Sequence, residues 1–200
     1  MQDYKLILFD VGGVLINYSN AFVTASKELN IPVELLDATY DKYEREVTAG
    51  KMTPQDLYIS SLKDNGLKAD ENYDFLKSWI KDYSSITPTF NLVLDLEGKY
   101  NLGLLSNIYT GTLNALIKQN LIPNIKYVHT FLSCDMGMQK PDKEIYEKII
   151  EITKLAPDDI LFIDDRDDYL SPPKAMGWNT FKFDKDNPEV SVSALRKLLL

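Results

Sequence analysis

Leu6-Ile7-Leu8-Phe9-Asp10-Val11-Gly12-Gly13-Val14-Leu15 is the stretch from which the fold is read. An apolar run stops at Asp10 and a glycine-loosened loop follows, so a carboxylate stands where a buried strand ends. Open α/β sheets put their chemistry at that edge. Two residues on, where a second acid would complete an Asp-x-Asp pair, the chain has Gly12. The stretch reads as a nucleophile without its usual proton-transfer partner.

Outward from this run, short apolar segments flanked by glycine or acids alternate with longer segments of helical period, which predicts a parallel sheet covered by helices. The expected strands are 6–9, 102–105, 130–132, 160–163 and 180–183. Between the first two lie about ninety residues, far more than one crossover helix needs, so an insert is expected. From Ala21 to Tyr83 the pattern is helical, punctuated at Ile31-Pro32, Thr53-Pro54 and Asn65-Gly66. Thr53 can cap a helix with Pro54 at its first position and Asp56 three residues on. Pro88 is placed to open the helix that returns to the main domain. The predicted division is a core of residues 1–16 and 86–200 and a helical insert of 17–85.

Composition narrows the function classes. Two hundred residues at 44% hydrophobic bury a sizeable core, and a net charge of −8 argues against a nucleic-acid partner, since phosphate backbones reward clustered Lys and Arg. No apolar run approaches the length of a membrane span, so no membrane partner is expected and the location read is cytoplasmic. Cys134 is the only cysteine, which excludes an intrachain disulfide and a cysteine zinc site; it reads as a small core residue. His129, the only histidine, falls outside every motif and reads as structural. The sequence assigns no oligomeric state.

Three further sites recur at expected strand ends: Ser106-Asn107 after Leu104-Leu105, Lys140 in Gly137-Met138-Gln139-Lys140-Pro141-Asp142 before a helix, and Asp164-Asp165 after Phe162-Ile163. Parallel strands point their carboxyl ends to one edge, so an acid, a hydroxyl, a lysine and two more acids converge. That set describes phosphoryl transfer. Asp10 is the nucleophile that forms an aspartyl phosphate, and Asp10, Asp164 and Asp165 supply hard oxygen ligands for Mg²⁺. Ser106, Asn107 and Lys140 bind the transferring group, with Lys140 countering its charge.

The order and spacing of these motifs resemble the haloacid dehalogenase superfamily of phosphatases and related hydrolases. FDVGGVL looks like its first motif, LLSN its second, the Lys140 region of MGMQKPD its third and FIDD its fourth. The resemblance implies a Rossmann-like core, a mobile helical cap inserted after the first motif, and Mg²⁺ held by Asp10, the main-chain carbonyl of Gly12, and Asp165 with help from Asp164. It implies a phosphatase acting on a small phosphorylated metabolite. Two other readings remain open: a noncatalytic member that binds a phosphorylated ligand or a partner protein, and a metal-independent 2-haloacid dehalogenase, against which the Asp164-Asp165 pair counts.

Family phosphatases usually carry an Asp where this chain has Gly12. Its loss keeps the carbonyl but removes an acid/base contribution worth roughly 10²- to 10⁴-fold in rate. A leaving group needing little protonation suffers least, and the glycine-bearing first motif favours a sugar phosphate. Tyr43 to Lys51 resembles the family's specificity loop, with Gly50 permitting close approach and Arg45 and Glu46 as substrate contacts. Asn17 and Tyr18 lie at the expected hinge. Pro172 and Pro173 predict a helix delayed to that point, capped by Ser171 and ending near Gly177, and leave open whether Asp168 orients Lys140.

Overall fold

The computed structural model describes residues 4–18 and 21–200, apart from the Ala21 side chain; residues 1–3 and 19–20 of the expected core and insert lie outside the described residues. The elements are β1 (Leu6–Phe9), β2 (Ile16–Asn17), α1 (Ala21–Leu29), α2 (Val33–Thr48), α3 (Pro54–Asp64), α4 (Phe75–Trp79), β3 (Ser84–Ser85), α5 (Thr87–Leu96) and β4 (Leu102–Ser106). They continue with α6 (Thr112–Lys118), β5 (His129–Leu132), α7 (Ser133–Met136), α8 (Lys143–Thr153), β6 (Ile160–Asp164), α9 (Asp167–Ala175), β7 (Asn179–Lys182) and α10 (Pro188–Leu199).

Five parallel strands form the sheet in the order β5-β4-β1-β6-β7. This is the expected Rossmann-like α/β architecture. β1 lies at the centre, with Ile7 opposite Leu102 on one side and Leu161 on the other, and all four of its residues are buried. Alternate side chains serve opposite layers. Ile7, Phe9 and Leu104 pack with Leu92, Val93 and Leu96 of α5 and Leu195 of α10. Leu6, Leu8 and Phe162 pack with Ile145 and Ile149 of α8 and Leu170 of α9. The chain winds from β1 to β4 and β5, then crosses to β6 and β7, so the direction of winding reverses at β1. Such a reversal opens a crevice at the strands' carboxyl ends.

Helices α1 to α4 occupy the stretch between β2 and β3, and these two short strands pair antiparallel, Ile16 with Ser85 and Asn17 with Ser84. The chain thus leaves and re-enters the sheet layer through one narrow ribbon. At α3 the Thr53 hydroxyl accepts from Asp56 N at 3.1 Å and the Asp56 carboxylate accepts from Thr53 N at 2.9 Å. This reciprocal capping box, with Pro54 in the first turn, makes the expected helix start. Pro88 lies in the first turn of α5, also as expected.

One expectation is corrected. α9 begins at Asp167 and runs through Pro172 and Pro173 to Ala175, so Ser171 is not its cap. The prolines remove donors that would bond the carbonyls of Asp168 and Tyr169. The Tyr146 hydroxyl donates to the Tyr169 carbonyl at 2.7 Å instead, while the Ser171 hydroxyl donates to Asp167 O. A residue distant in sequence therefore repairs what the local sequence lacks. α8 begins at Lys143, three residues after Lys140, as expected of a lysine placed before a helix.

Gly50 fastens the insert to the sheet layer. It has φ +70°, and a Cβ there would lie 2.1 Å from the Cys134 carbonyl oxygen, a backbone atom that cannot swing aside. Gly66 shares the left-handed conformation, φ +68°, but a Cβ there meets nothing within 4 Å. Gly66→Ala should therefore cost only the intrinsic left-handed penalty of about 1–2 kcal/mol. Gly50→Ala should cost visibly more, and equal urea-denaturation midpoint shifts for the two variants would contradict this packing account.

Candidate active site

Asp10 follows β1 at its carboxyl end, where the Val11 amide donates to Asp10 Oδ1 at 2.7 Å. Lys140 Nζ lies 3.1 Å from the same oxygen. Among the described residues both contacts fall on Oδ1. Lys140 also donates to Asp164 Oδ2 at 2.6 Å, and neither of these two side chains is solvent-exposed. Asp164 ends β6 and uses Oδ1 to accept from Arg166 N at 2.8 Å, which opens the turn into α9. Ser106 ends β4 in the same crevice and is buried.

Lys140 is held there by Asn107. The Asn107 amide accepts from Lys140 N and donates to Lys140 O, both at 2.8 Å. The carboxamide, expected to bind the transferring group, here clamps the Lys140 backbone, and its Nδ2 also lies 3.4 Å from the Tyr169 hydroxyl. The Lys140 ammonium also lies over the Tyr169 ring, 4.6 Å from its centre. Burial works against the lysine charge, but Asp10 and Asp164 outweigh it and hold the ammonium above the ordinary lysine range. Burial and the Asp10 charge push the Asp164 carboxyl up, with Lys140 opposing them.

Carboxylate oxygens of Asp10, Asp164 and Asp165 all lie within 4.8 Å of one another. Hard oxygen donors carrying excess negative charge suit Mg²⁺ or a similar cation. Lys185 reaches Asp165 at 3.3 Å from the solvent side. Gly13 makes the cluster sterically feasible: it has φ +77°, and a Cβ there would stand 2.6 Å from the Asp165 carboxyl. Any side chain at this position would drive the loop and the acid apart.

A cavity of about 410 Å³ opens over this cluster, a volume suited to a small ligand. Asp10, Gly12, Ser106, Asn107, Lys140 and Asp165 line one end. Two expected contacts lie elsewhere. Arg45 is turned outward to Asp142 at 2.7 Å, and together with Glu46 it borders a separate shallow depression, because successive residues of α2 point in different directions. The same helix instead brings Tyr40, Glu44 and Thr48, spaced at helical intervals, to the main cavity. That spacing was the available sequence signal, but it carries meaning only once the helix is known to face the sheet edge. Tyr83, Tyr109, Arg166 and Tyr169 also line the cavity without having been singled out.

Asp168 makes a two-point pair with Arg166 at 3.0 and 2.6 Å and so orients that arginine, while Asp164 holds Lys140. His129 stacks on Phe131 at the start of β5, away from the cavity, consistent with a structural role. Cys134 is half-buried, and burial pushes its thiol up to about 11.

A family model for haloacid dehalogenase-like hydrolases matches residues 4–177. The chain belongs to this family. Pig bifunctional epoxide hydrolase 2 is 23% identical over 197 residues, covering 88% of this chain but 36% of that protein, so the chain spans about a third of that relative's length. D-ribitol-5-phosphate phosphatase of Bacteroides thetaiotaomicron is 23% identical over 195 residues, covering 89% of this chain and 91% of the relative. A haloacid-dehalogenase-family enzyme from the same bacterium, solved with magnesium and inorganic phosphate, superposes with a TM-score of 0.76 at 23% identity, covering 91% of this chain and 95% of that one. No helix among the described residues is long and apolar enough to cross a membrane.

Within this hydrolase the environment of Gly12 is specific. A Cβ at Gly12 would touch the Tyr18 ring at 3.3 and 3.4 Å, so an aromatic ring fills the space where an acidic side chain would begin. Tyr18 is 54% exposed, which lets it give way. Gly12, unlike Gly13, does not have a left-handed φ, so its backbone accepts a side chain without strain.

Among the described residues, Lys140 is the sole direct link between the buried acids Asp10 and Asp164. Lys140→Met should destabilise the metal-free protein by about 3–5 kcal/mol by leaving buried charge uncompensated. Adding Asp164→Asn should restore part of that loss. Urea denaturation in chelator, run as a double-mutant cycle, checks both; strict additivity would rule out the coupling.

Proposed function

We propose that the protein is a Mg²⁺-dependent phosphatase of small phosphorylated metabolites, acting through an aspartyl phosphate at Asp10. The convergence of Asp10, Asp164 and Asp165 beside a buried lysine carries this reading. The ribitol phosphate phosphatase relative and the neighbour solved with magnesium and phosphate support it. Residues 17–85 then act as a cap over the site.

Asp10, Asp164, Asp165 and the Gly12 carbonyl would hold Mg²⁺, which when bound screens the approach of an anionic nucleophile to an anionic phosphate. Asp10 attacks phosphorus, forming an Asp10–phosphorus bond as the bond to the leaving oxygen breaks. Ser106 and Lys140 donate to the transferring oxygens. The leaving oxygen takes a proton from water or from the substrate, since Gly12 supplies none. Water then attacks phosphorus as the Asp10–phosphorus bond breaks, and its proton passes to the departing phosphate or to bulk water, which frees Asp10 and inorganic phosphate. A hydroxyl-rich leaving group, such as a sugar or sugar alcohol, fits a cavity walled by tyrosine, asparagine and glutamate.

Asp10→Asn should eliminate Mg²⁺-dependent phosphate release while keeping the thermal unfolding transition; wild-type turnover in this variant would reject the nucleophile. If wild-type protein releases no phosphate from a broad panel of sugar and aryl phosphates, a phospho-ligand-binding role replaces the enzyme reading. Gly12→Asp should accelerate alkyl phosphates more than p-nitrophenyl phosphate, by up to about 10²-fold. Equal effects on both would show that the missing acid does not limit the rate.

Gly13→Ala should weaken Mg²⁺ binding about 10- to 100-fold by displacing Asp165. Isothermal titration of metal into wild type and variant reads this directly. Unchanged affinity would remove Asp165 from the ligand set.

A further inference from the structure

Beyond the groups around Asp10, the cavity holds polar side chains that the phosphoryl-transfer chemistry leaves unused. Glu44 of α2 lines it, is exposed, and has neither an ion pair nor a hydrogen bond among the described residues. Both cations lining the cavity are already committed, Lys140 to Asp10 and Asp164 and Arg166 to Asp168. Beside Glu44, the Tyr40 and Tyr109 hydroxyls bond to each other at 2.7 Å, and Thr48 also interacts with the Tyr40 hydroxyl. Burial raises both phenols, and the Glu44 charge adds to the effect, so the three groups share one locale. Thr112 is 3% exposed, lines the cavity, and its Oγ1 is buried without a partner; Gln139 Oε1, also in the lining, is likewise unpartnered.

A buried hydroxyl or amide left unpaired is costly, and a ligand that pairs it recovers that cost. A carboxylate offers acceptor sites only, whereas Tyr and Thr hydroxyls both donate and accept. The complement of this set is a ligand with several hydroxyls, which donate to Glu44 and Gln139 and exchange hydrogen bonds with Thr112 and the tyrosine pair. A ligand tail carrying its own carboxylate or second phosphate meets Glu44 as a like charge.

We infer that Glu44, with Thr112 and the Tyr40–Tyr109 pair, is the specificity site for the leaving group, selecting polyhydroxylated phosphomonoesters and rejecting those with an anionic tail. The inference rests on the phosphatase reading for turnover but not for binding. Each side chain named here lies outside the set assigned to the phosphoryl group and the metal.

The test compares wild type with Glu44→Gln and Glu44→Asp, with Mg²⁺ present and folding checked by thermal melting. Substrates are ribitol 5-phosphate, p-nitrophenyl phosphate, 3-phosphoglycerate and O-phosphoethanolamine. Glu44→Gln should lower kcat/KM for ribitol 5-phosphate relative to p-nitrophenyl phosphate by about 10- to 100-fold, chiefly through KM, because hydrogen bonds to a charged acceptor are lost. It should also narrow the discrimination against 3-phosphoglycerate, and Glu44→Asp should recover part of the preference. Unmoved ratios overturn the inference, as does a wild-type preference for O-phosphoethanolamine that Glu44→Gln abolishes, which would make Glu44 an ammonium receptor. In the Asp10→Asn background, calorimetric binding of ribitol 5-phosphate should weaken by the same factor on Glu44→Gln. Glu44-dependent binding without wild-type turnover would reject the phosphatase reading and uphold the site; turnover with Glu44-independent binding would do the reverse.

Discussion

One buried ammonium between two buried carboxylates sets the terms for this site. Lys140 reaches Asp10 at 3.1 Å and Asp164 at 2.6 Å from a position closed to solvent. Each of the three ions alone would be expelled or neutralised at such depth. Together they fix the loop after β1, the end of β6 and the segment before α8 relative to one another. The Asn107 clamp on the Lys140 backbone adds the end of β4 to the same assembly.

The ionic centre depends in turn on sheet topology. β1 is flanked by β4 and β6, and all three strands are parallel, so Asp10, Ser106 and Asp164 are delivered to one edge. Hydrophobic burial on both faces of β1 places that edge; the ion pairs then refine it. Gly13 permits Asp165 to close on the loop, and Gly50 permits the helical insert to press against the Cys134 backbone. Both glycines answer steric demands from segments far away in sequence, as their left-handed φ values and short virtual Cβ contacts attest.

The two ends of the cavity differ in how they are built. The end at Asp10 is made of strand termini, rigid and densely paired. The other end is made of α2, Tyr83 just before β3, the loop after β4 and the first turn of α6, and its polar groups are incompletely paired. Rigid charge at one end suits a chemistry common to many substrates. Unpaired hydroxyl, amide and carboxylate groups at the other suit recognition of what varies among them.

By itself the sequence determined the strands, because each is a short apolar run whose burial does not depend on its neighbours' identity, and three of the five strand ends, at Asp10, Ser106 and Asp164, carry residues of the site. It also determined the Thr53 cap, a local interaction spanning three residues. It could not determine the β2–β3 ribbon, whose two-residue strands have no periodicity, or the unbroken α9, whose lost proline donors are offset by Tyr146. Which face of α2 meets the cavity was also beyond it: Glu44, Arg45 and Glu46 are adjacent and all charged, and only the packing of α2 against the sheet edge sets Glu44 at the cavity and Arg45 toward Asp142. Local patterns fix elements because their energetics are short-ranged, whereas the direction a side chain finally faces is settled by contacts between elements that only tertiary structure supplies.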